Sequence, residues 1–370
     1  MIDVTQLDYT KIKVQNLKGR YVTNSDIFPF VDNLSKDFLV ETIGSSVLGN
    51  PVKMISWGTG KQKVLMWSQM HGNESTTTKA VVDLLNFLSI PSETVNFLHK
   101  ECTFKIIPIL SPDGAKAYTR VNANDIDLNR DAQDRTQPES NILKTIYDSF
   151  NPDFCFNLHD QRTIFNVGVS NKPATVSFLA PAFDVDRNIS TSRSQSMKLI
   201  VAMNTVLQQL IPGQVGRYDD GFNANCVGDA FQMLNTPTIL FESGHFPEDY
   251  QREKTREYVF YAILTAVHSI ASESINTFNQ EQYFEIPENG KQFFDVLIKN
   301  PHELDNKYDE LTQVGVLFKE VLKNNTINFE PYITEVGVLK KYFGHKMYDC
   351  KNSKELNALK ADNQLHSILV

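Results

Sequence analysis

Between about Val52 and Ala271 short apolar runs alternate with segments whose apolar residues recur three and four apart, as strands and helices do in a helix-covered sheet. VKMISW and VLMWSQM read as strands. Ala80, Val81, Leu84, Leu85 and Leu88 then share one face of a helix that Pro91 stops. CTFKIIPIL is the next strand, and SPDG after it has the composition of a turn. Ile142, Leu143, Ile146, Tyr147 and Phe150 predict a helix ahead of the strand DFCFNLHD. A long helix runs from about Ser192 to Leu210, TPTILFES is a further strand, and Glu248 to Ala271 predicts a covering helix. From Pro287 the pattern breaks into short runs: FFDVLI, VGVLFKEVL, INFEPYI and VGVLKKYF. VGVL occurs twice, too few copies for a repeat array. The chain therefore divides into a main domain over residues 1–286 and an α+β or strand-rich accessory region over 287–370. The accessory region is expected to be structural or regulatory, or to shape the rim of a cleft.

At 370 residues, 41% hydrophobic and 22% charged, the composition is that of a globular protein of one large or two ordinary domains. A net charge of −8 without any Lys/Arg run argues against nucleic acid as a partner. The longest apolar stretch, Tyr258 to Ala271, falls short of the roughly 20 residues of a membrane span. The first twenty residues mix acids and lysines and lack the apolar region of a signal peptide, so a cytoplasmic location is expected. Cys102, Cys155, Cys226 and Cys350 are widely spaced, which reads as reduced thiols.

Candidate chemistry gathers at strand ends. VLMWSQM delivers His71, and Glu74 follows just before a helix starts. With 8 histidines and 44 acids among 370 residues, chance alone supplies about one such His-x-x-acid spacing, and this chain has three: His71/Glu74, His245/Glu248 and His302/Asp305. Context separates them. Open α/β sheets place their sites where strands end beside helix starts; FCFNLHD ends at His159 and TILFES at Glu242 in the same way. Two histidines and two glutamates at strand ends match a His₂Glu catalytic zinc set plus one free carboxylate for proton transfer. Bland alternatives exist: a helix-dipole acid for Glu74, an ion pair between His159 and Asp160, and, for Arg120, Asn129 and Arg130 in their Asp-rich loop, polar pairing with Asp125, Asp127 or Asp131. Cys155 and Cys226 are possible substitute ligands. The sequon at Asn73 falls inside the candidate site, where a glycan would block it.

The segments IGSSVLGNPVKMISWGTG, QMHGNES, SPDGAKAYTRVNANDIDLNRD, FNLHD and TILFESG, taken in this order, resemble the zinc carboxypeptidase family of the carboxypeptidase A type. The resemblance covers roughly Ile43 to Gly244. It implies an α/β fold with a mixed sheet of about eight strands and helices on both faces, a count larger than the strand pattern itself supplies. It also implies that His71, Glu74 and His159 bind one Zn²⁺ and that Glu242 is the general base toward the zinc-bound water. Arg120 matches the residue that polarises the scissile carbonyl, and Asn129 with Arg130 matches the pair that holds the substrate carboxylate. Tyr218, 24 residues before Glu242, is the candidate for the family's mobile tyrosine, on a poor local match. Asp219, Asp220 or Asp229 in that segment would favour a basic side chain.

The expected activity is therefore that of a zinc-dependent metallocarboxypeptidase acting on peptides with a free carboxylate. A zinc amidase or deacylase of acylated amino acids or cell-wall-type peptides is the alternative. A non-catalytic binding module is weakened because Glu242 and all three ligands are present.

Overall fold

The computed structural model describes residues 2–370. Its strands are β1 (Phe38–Ser45), β2 (Pro51–Trp57), β3 (Gln62–Ser68), β4 (Cys102–Ile107), β5 (Phe154–Asp160), β6 (Asn166–Val167), β7 (Val176–Leu179), β8 (Val215–Arg217) and β9 (Thr238–Ser243). They continue with β10 (Asn289–Gly290), β11 (Phe293–Lys299), β12 (Gln313–Lys323), β13 (Thr326–Gly337) and β14 (Phe343–Asp349). The main sheet has eight strands in the order β1-β2-β4-β3-β5-β9-β7-β8. It is mixed: β4, β3, β5 and β9 run parallel, β1–β2, β2–β4 and β7–β9 are antiparallel, and β7–β8 is parallel.

Residue alternation along the central strands shows why helices cover both faces. On β3, Val64 and Met66 join the larger core under helices Thr76–Leu88, Thr191–Leu210 and Glu253–Ala271. Leu65 and Trp67 point the other way, to a second core with Leu143, Tyr147 and Phe231 from helices Pro138–Phe150 and Val227–Met233. β5 and β9 repeat the division: Phe156, Leu158, Ile239 and Phe241 belong to the larger core, so His159 and Glu242 lie on the opposite face.

The accessory region forms a separate four-stranded sheet, β13-β12-β11-β14, backed by helices Ser353–Ala361 and Asn363–Leu369 that close its core with Leu359, Leu365 and Leu369. It is bolted to the main fold by β10 pairing with β6, by the Phe293 N–H donating to the Ile164 carbonyl at 3.1 Å, and by the Arg20–Glu320 ion pair at 3.0 Å. No helix among the described residues is long and apolar enough to cross a membrane.

Several elements depart from the pattern reading. SPDG opens the short helix Pro112–Ala117, with Pro112 at its start and the Asp113 carboxylate accepting from Ser46 Oγ and the Leu48 N–H at 2.7 and 2.9 Å. VGVLKKYF is not one strand: β13 ends at Gly337 and β14 begins at Phe343, with Leu339 turned inward between them. β1, β7 and β8 carry too few alternating residues to stand out in the sequence. They exist through ladder pairing, β1 with β2, β7 with β9 and β8 with β7.

One buried charge cluster ties the layers together. Arg256 donates through Nε and Nη2 to both oxygens of Asp83 at 2.6 Å, and Asp83 also accepts from the Tyr9 hydroxyl and the Val14 N–H. Asp83→Ala removes the bidentate partner of a fully buried guanidinium, leaving it Glu253 at 3.3 Å and two backbone carbonyls, so a loss of about 3–5 kcal/mol in unfolding free energy is expected in a urea titration. A loss under about 1 kcal/mol contradicts this assignment.

Candidate metal centre and its cleft

The chain leaves β3 for β4 on one side and returns across it to β5 on the other, so the C-terminal ends of β3 and β5 flank the point where strand order reverses. The loop after β3 carries His71 and Glu74 there, and β5 ends on His159. The turn is tight: a Cβ on Gly72 would lie 1.8 Å from the backbone carbonyl carbon of Gly114, so glycine lets the QMHGNES turn nest against the helix opened by SPDG.

His71, Glu74 and His159 are all buried, and one ligand atom from each lies within 4.8 Å of the others. His71 Nδ1 stands 2.8 Å from Glu74 Oε1, His159 Nδ1 stands 2.8 Å from Glu74 Oε2, and the two Nδ1 atoms are 3.1 Å apart. His71 Nε2 lies 2.9 Å from Asp127 Oδ1, a partner that fixes the proton on Nε2 and turns the Nδ1 lone pair inward. Arg120 donates to both carboxylates, to Asp127 at 3.0 Å and to Glu74 at 3.4 Å. Burial pushes the Glu74 carboxyl up, but His71 and His159 outweigh it and hold the group well below the ordinary carboxylate range. Burial lowers His159, which favours the neutral imidazole that a metal requires.

Asp160 serves structure. Its carboxylate accepts from the Thr76 and Thr77 N–H groups at 3.0 and 3.4 Å, capping the helix Thr76–Leu88 behind Glu74, and also from the Ser243 hydroxyl. The Asp160 N–H donates to Glu74 Oε2 at 3.1 Å. One residue thus joins the ligand loop, β5 and β9.

Glu242 pairs in register with His159 across β5–β9. Its Oε2 is buried and finds no partner among the described residues, and neither does His159 Nε2. Burial raises the Glu242 carboxyl well above its ordinary value, and the charges of Glu74 and Asp160 add to the rise.

These groups open onto a cleft of about 930 Å³ that also holds Arg120, Asn129, Arg130, Tyr218, Asp219 and Asp229. Asn129 and Arg130 lie on a single helical turn, Leu128–Arg130, that Asp127 caps at the Asn129 N–H. The Asn129 side-chain oxygen accepts from the Val227 N–H at 3.0 Å, leaving its NH₂ free for the cleft. Arg130 Nη1 reaches the Cys226 sulfur at 3.0 Å. Tyr218 rests on Phe165, with ring centres 5.4 Å apart, and burial followed by the Glu242 charge raises its hydroxyl. Asp220 is taken up by Arg193 and Arg187 at 2.6 and 3.2 Å, whereas Asp219 and Asp229 make no ion pair among the described residues. Burial pushes Asp229 up to about 7.

Residues that the sequence motifs leave out complete the site. Asp127 enters the sequence reading only as a rival partner for Arg120, because nothing in NDIDLNRD reveals its contact with His71. A group of accessory-region residues, among them Asp295, Phe318, Glu320 and Phe329, walls the same cleft. His245 and His345 meet at a tilt with ring centres 4.1 Å apart and do not line the cleft, and among the described residues His302 pairs only with its neighbour Glu303.

Residues 31–164 match the family model described as zinc carboxypeptidase, a segment that carries His71, Glu74, Arg120, Asn129, Arg130 and His159. That segment, about a third of the chain, is similar to the zinc carboxypeptidase family. The fold as a whole resembles that of solved metallocarboxypeptidases. A metallo-carboxypeptidase from Burkholderia cenocepacia is 17% identical with a TM-score of 0.55, covering 68% of this chain and 69% of the other. The carboxypeptidase A of Helicoverpa armigera is 15% identical with a TM-score of 0.54, covering 68% and 74%. A gamma-D-glutamyl-L-diamino acid endopeptidase 1 from Lysinibacillus sphaericus is 30% identical over 80 residues, so the match spans about a fifth of that relative and of this chain.

Zinc, which the matched family model implies, fits this donor set: two imidazoles and one carboxylate with ligand atoms within 4.8 Å of one another, and a second carboxylate behind His71. Asp127→Asn is expected to weaken zinc binding about 10–100-fold in a chelator competition while leaving the fold intact. Unchanged affinity contradicts the orienting role of Asp127.

Proposed function

We propose that this chain is a zinc-dependent metallocarboxypeptidase that hydrolyses the C-terminal peptide bond of peptides with a free carboxylate. Residues 1–286 form its catalytic domain and residues 287–370 an accessory region. The observation that carries the reading is Glu242: a buried carboxylate with an oxygen lacking any partner, in register with a ligand histidine and open to the same cleft as an Asn-Arg pair. His71, Glu74 and His159 would hold a zinc ion, which when bound would supply a Lewis acid and bring the pKa of a water down to about 7. Glu242 takes the proton of the attacking water at Oε2 and returns it to the leaving amine. Arg120, about half exposed and anchored by Asp127, steadies the charge that grows on the carbonyl oxygen. Arg130 and the Asn129 NH₂ bind the terminal carboxylate. Tyr218 lends its hydroxyl to the substrate backbone, and Asp229, with Asp219 nearer solvent, forms the pocket for a basic terminal side chain.

The second reading, a zinc amidase of acylated amino acids or cell-wall-type peptides, uses the same groups. It is favoured by the likeness to a relative named for a γ-D-glutamyl-L-diamino acid bond, because Asp229 suits the second amine of a diamino acid.

Glu242→Gln tests the central role. Expected is a loss in kcat of about 10²–10⁴-fold with zinc content unchanged. Turnover close to wild type would sink the assignment, and a chain with no metal-dependent turnover at all would be a binding module. Asp229 adds a pH signature. A carboxyl with a pKa of about 7 is neutral below that value and charged above it. The preference for C-terminal Lys over Leu should therefore grow as pH rises through about 7 and flatten in Asp229→Asn, read as the ratio of kcat/KM values. A ratio independent of pH in the wild type excludes Asp229 as the selector.

A further inference from the structure

Two sets of residues wall the cleft. In one, Asn129 and Arg130 meet the helix Val227–Met233 through Val227 and Cys226. In the other, the accessory sheet is fixed to the main fold by contacts that involve neither of these residues. Glu320 of β12 is gripped by the buried Arg20 and by the Tyr118 hydroxyl. Asp295 of β11 accepts from the Tyr250 hydroxyl at 2.9 Å and from the Phe318 N–H at 2.7 Å. The Tyr250 ring centre stands 5.3 Å from both the Phe318 and Phe329 rings, and Tyr332 adds a ring that is 41% exposed. All four aromatic residues line the cleft, and none is needed to hold metal, carboxylate or proton.

Resting on the reading above, in which Arg130 takes the terminal carboxylate and the scissile bond lies over the ligand cluster, we propose that the β12–β13 hairpin of the accessory sheet supplies the binding surface for the acyl side of the substrate. Tyr250, Phe318, Phe329 and Tyr332 make that surface a receptor for an apolar, preferably aromatic, group. The part-buried Arg20–Glu320 and Tyr250–Asp295 contacts hold the rings in place before the ligand arrives, which lowers the ordering cost of binding. A cleft of about 930 Å³ lies at the upper end of the range for small-molecule sites. The substrate class is thus short: an amino acid or dipeptide carrying an apolar acyl group or residue ahead of the cleaved bond.

The test is calorimetric binding to the zinc-loaded full chain carrying Glu242→Gln, which does not turn the ligands over. The probes are N-acetyl, N-benzoyl and N-succinyl forms of one glycyl dipeptide, with hydrolysis of the same compounds followed in the wild type. The benzoyl probe is expected to bind about tenfold or more tightly than the acetyl one. Adding Phe329→Ser and Tyr332→Ser should erase that difference while acetyl affinity stays within about twofold. Should the double change unfold the hairpin, Tyr332→Ser alone, at an exposed position, is expected to remove part of the preference. Equal affinities for all probes, equal losses in the variants, or no binding of any probe overturn the proposal. Tightest binding of the succinyl probe overturns it in favour of Lys291 and Lys319 on the same wall. Benzoyl-selective binding without hydrolysis by the wild type would instead remove the peptidase reading and leave the wall standing.

Discussion

The register between β5 and β9 is the constraint on which the site depends. It sets His159 opposite Glu242 on one face of the sheet while Leu158 and Phe241 fill the core on the other. A slip of one residue would exchange these sets, burying a carboxylate among phenylalanines and exposing apolar rings to the cleft. The molecule guards this register where it matters. Asp160 receives the Ser243 hydroxyl, and Arg252, itself buried, donates to the Ser243 and Gln161 carbonyls at 2.6 and 2.9 Å, at the C-terminal ends of the two strands.

The site concentrates acid. Glu74, Asp127, Asp160 and Glu242 crowd around two histidines, and the structure treats them differently. Asp160 is spent on a helix cap, Asp127 is shared between His71 and Arg120, and Glu74 is held ionised by both imidazoles. Glu242 alone keeps an oxygen without a partner. A divalent cation between the histidines would offset the repulsion among these groups.

Much of this was legible in the sequence, because strand ends and motif order carry it. His71, Glu74, His159 and Glu242 each sit where an apolar run stops, and the structure gathers them at the reversal point of the sheet. Arg120, Asn129 and Arg130 occupy the same cleft. Contacts between distant segments were not legible. Asp127 finds His71 across 56 positions, and Glu320 finds Arg20 across three hundred, with nothing local to announce either. The same holds for β1, β7 and β8, whose hydrogen bonds are decided by their neighbours, and for SPDG, where a proline that resembles a turn signal starts a helix. The accessory region showed its strands but not that the β12–β13 hairpin reaches the cleft.

The central claim is that three ligands, one free carboxylate and one carboxylate-binding pair act together on a peptide's C-terminus. Mass spectrometry of a mixed peptide library, incubated with the zinc-loaded chain with and without a zinc chelator, tests it most directly. The account predicts chelator-sensitive loss of single C-terminal residues, from peptides with free carboxylates and not from their amidated counterparts. Internal cleavage, or release that is indifferent to amidation, would contradict it.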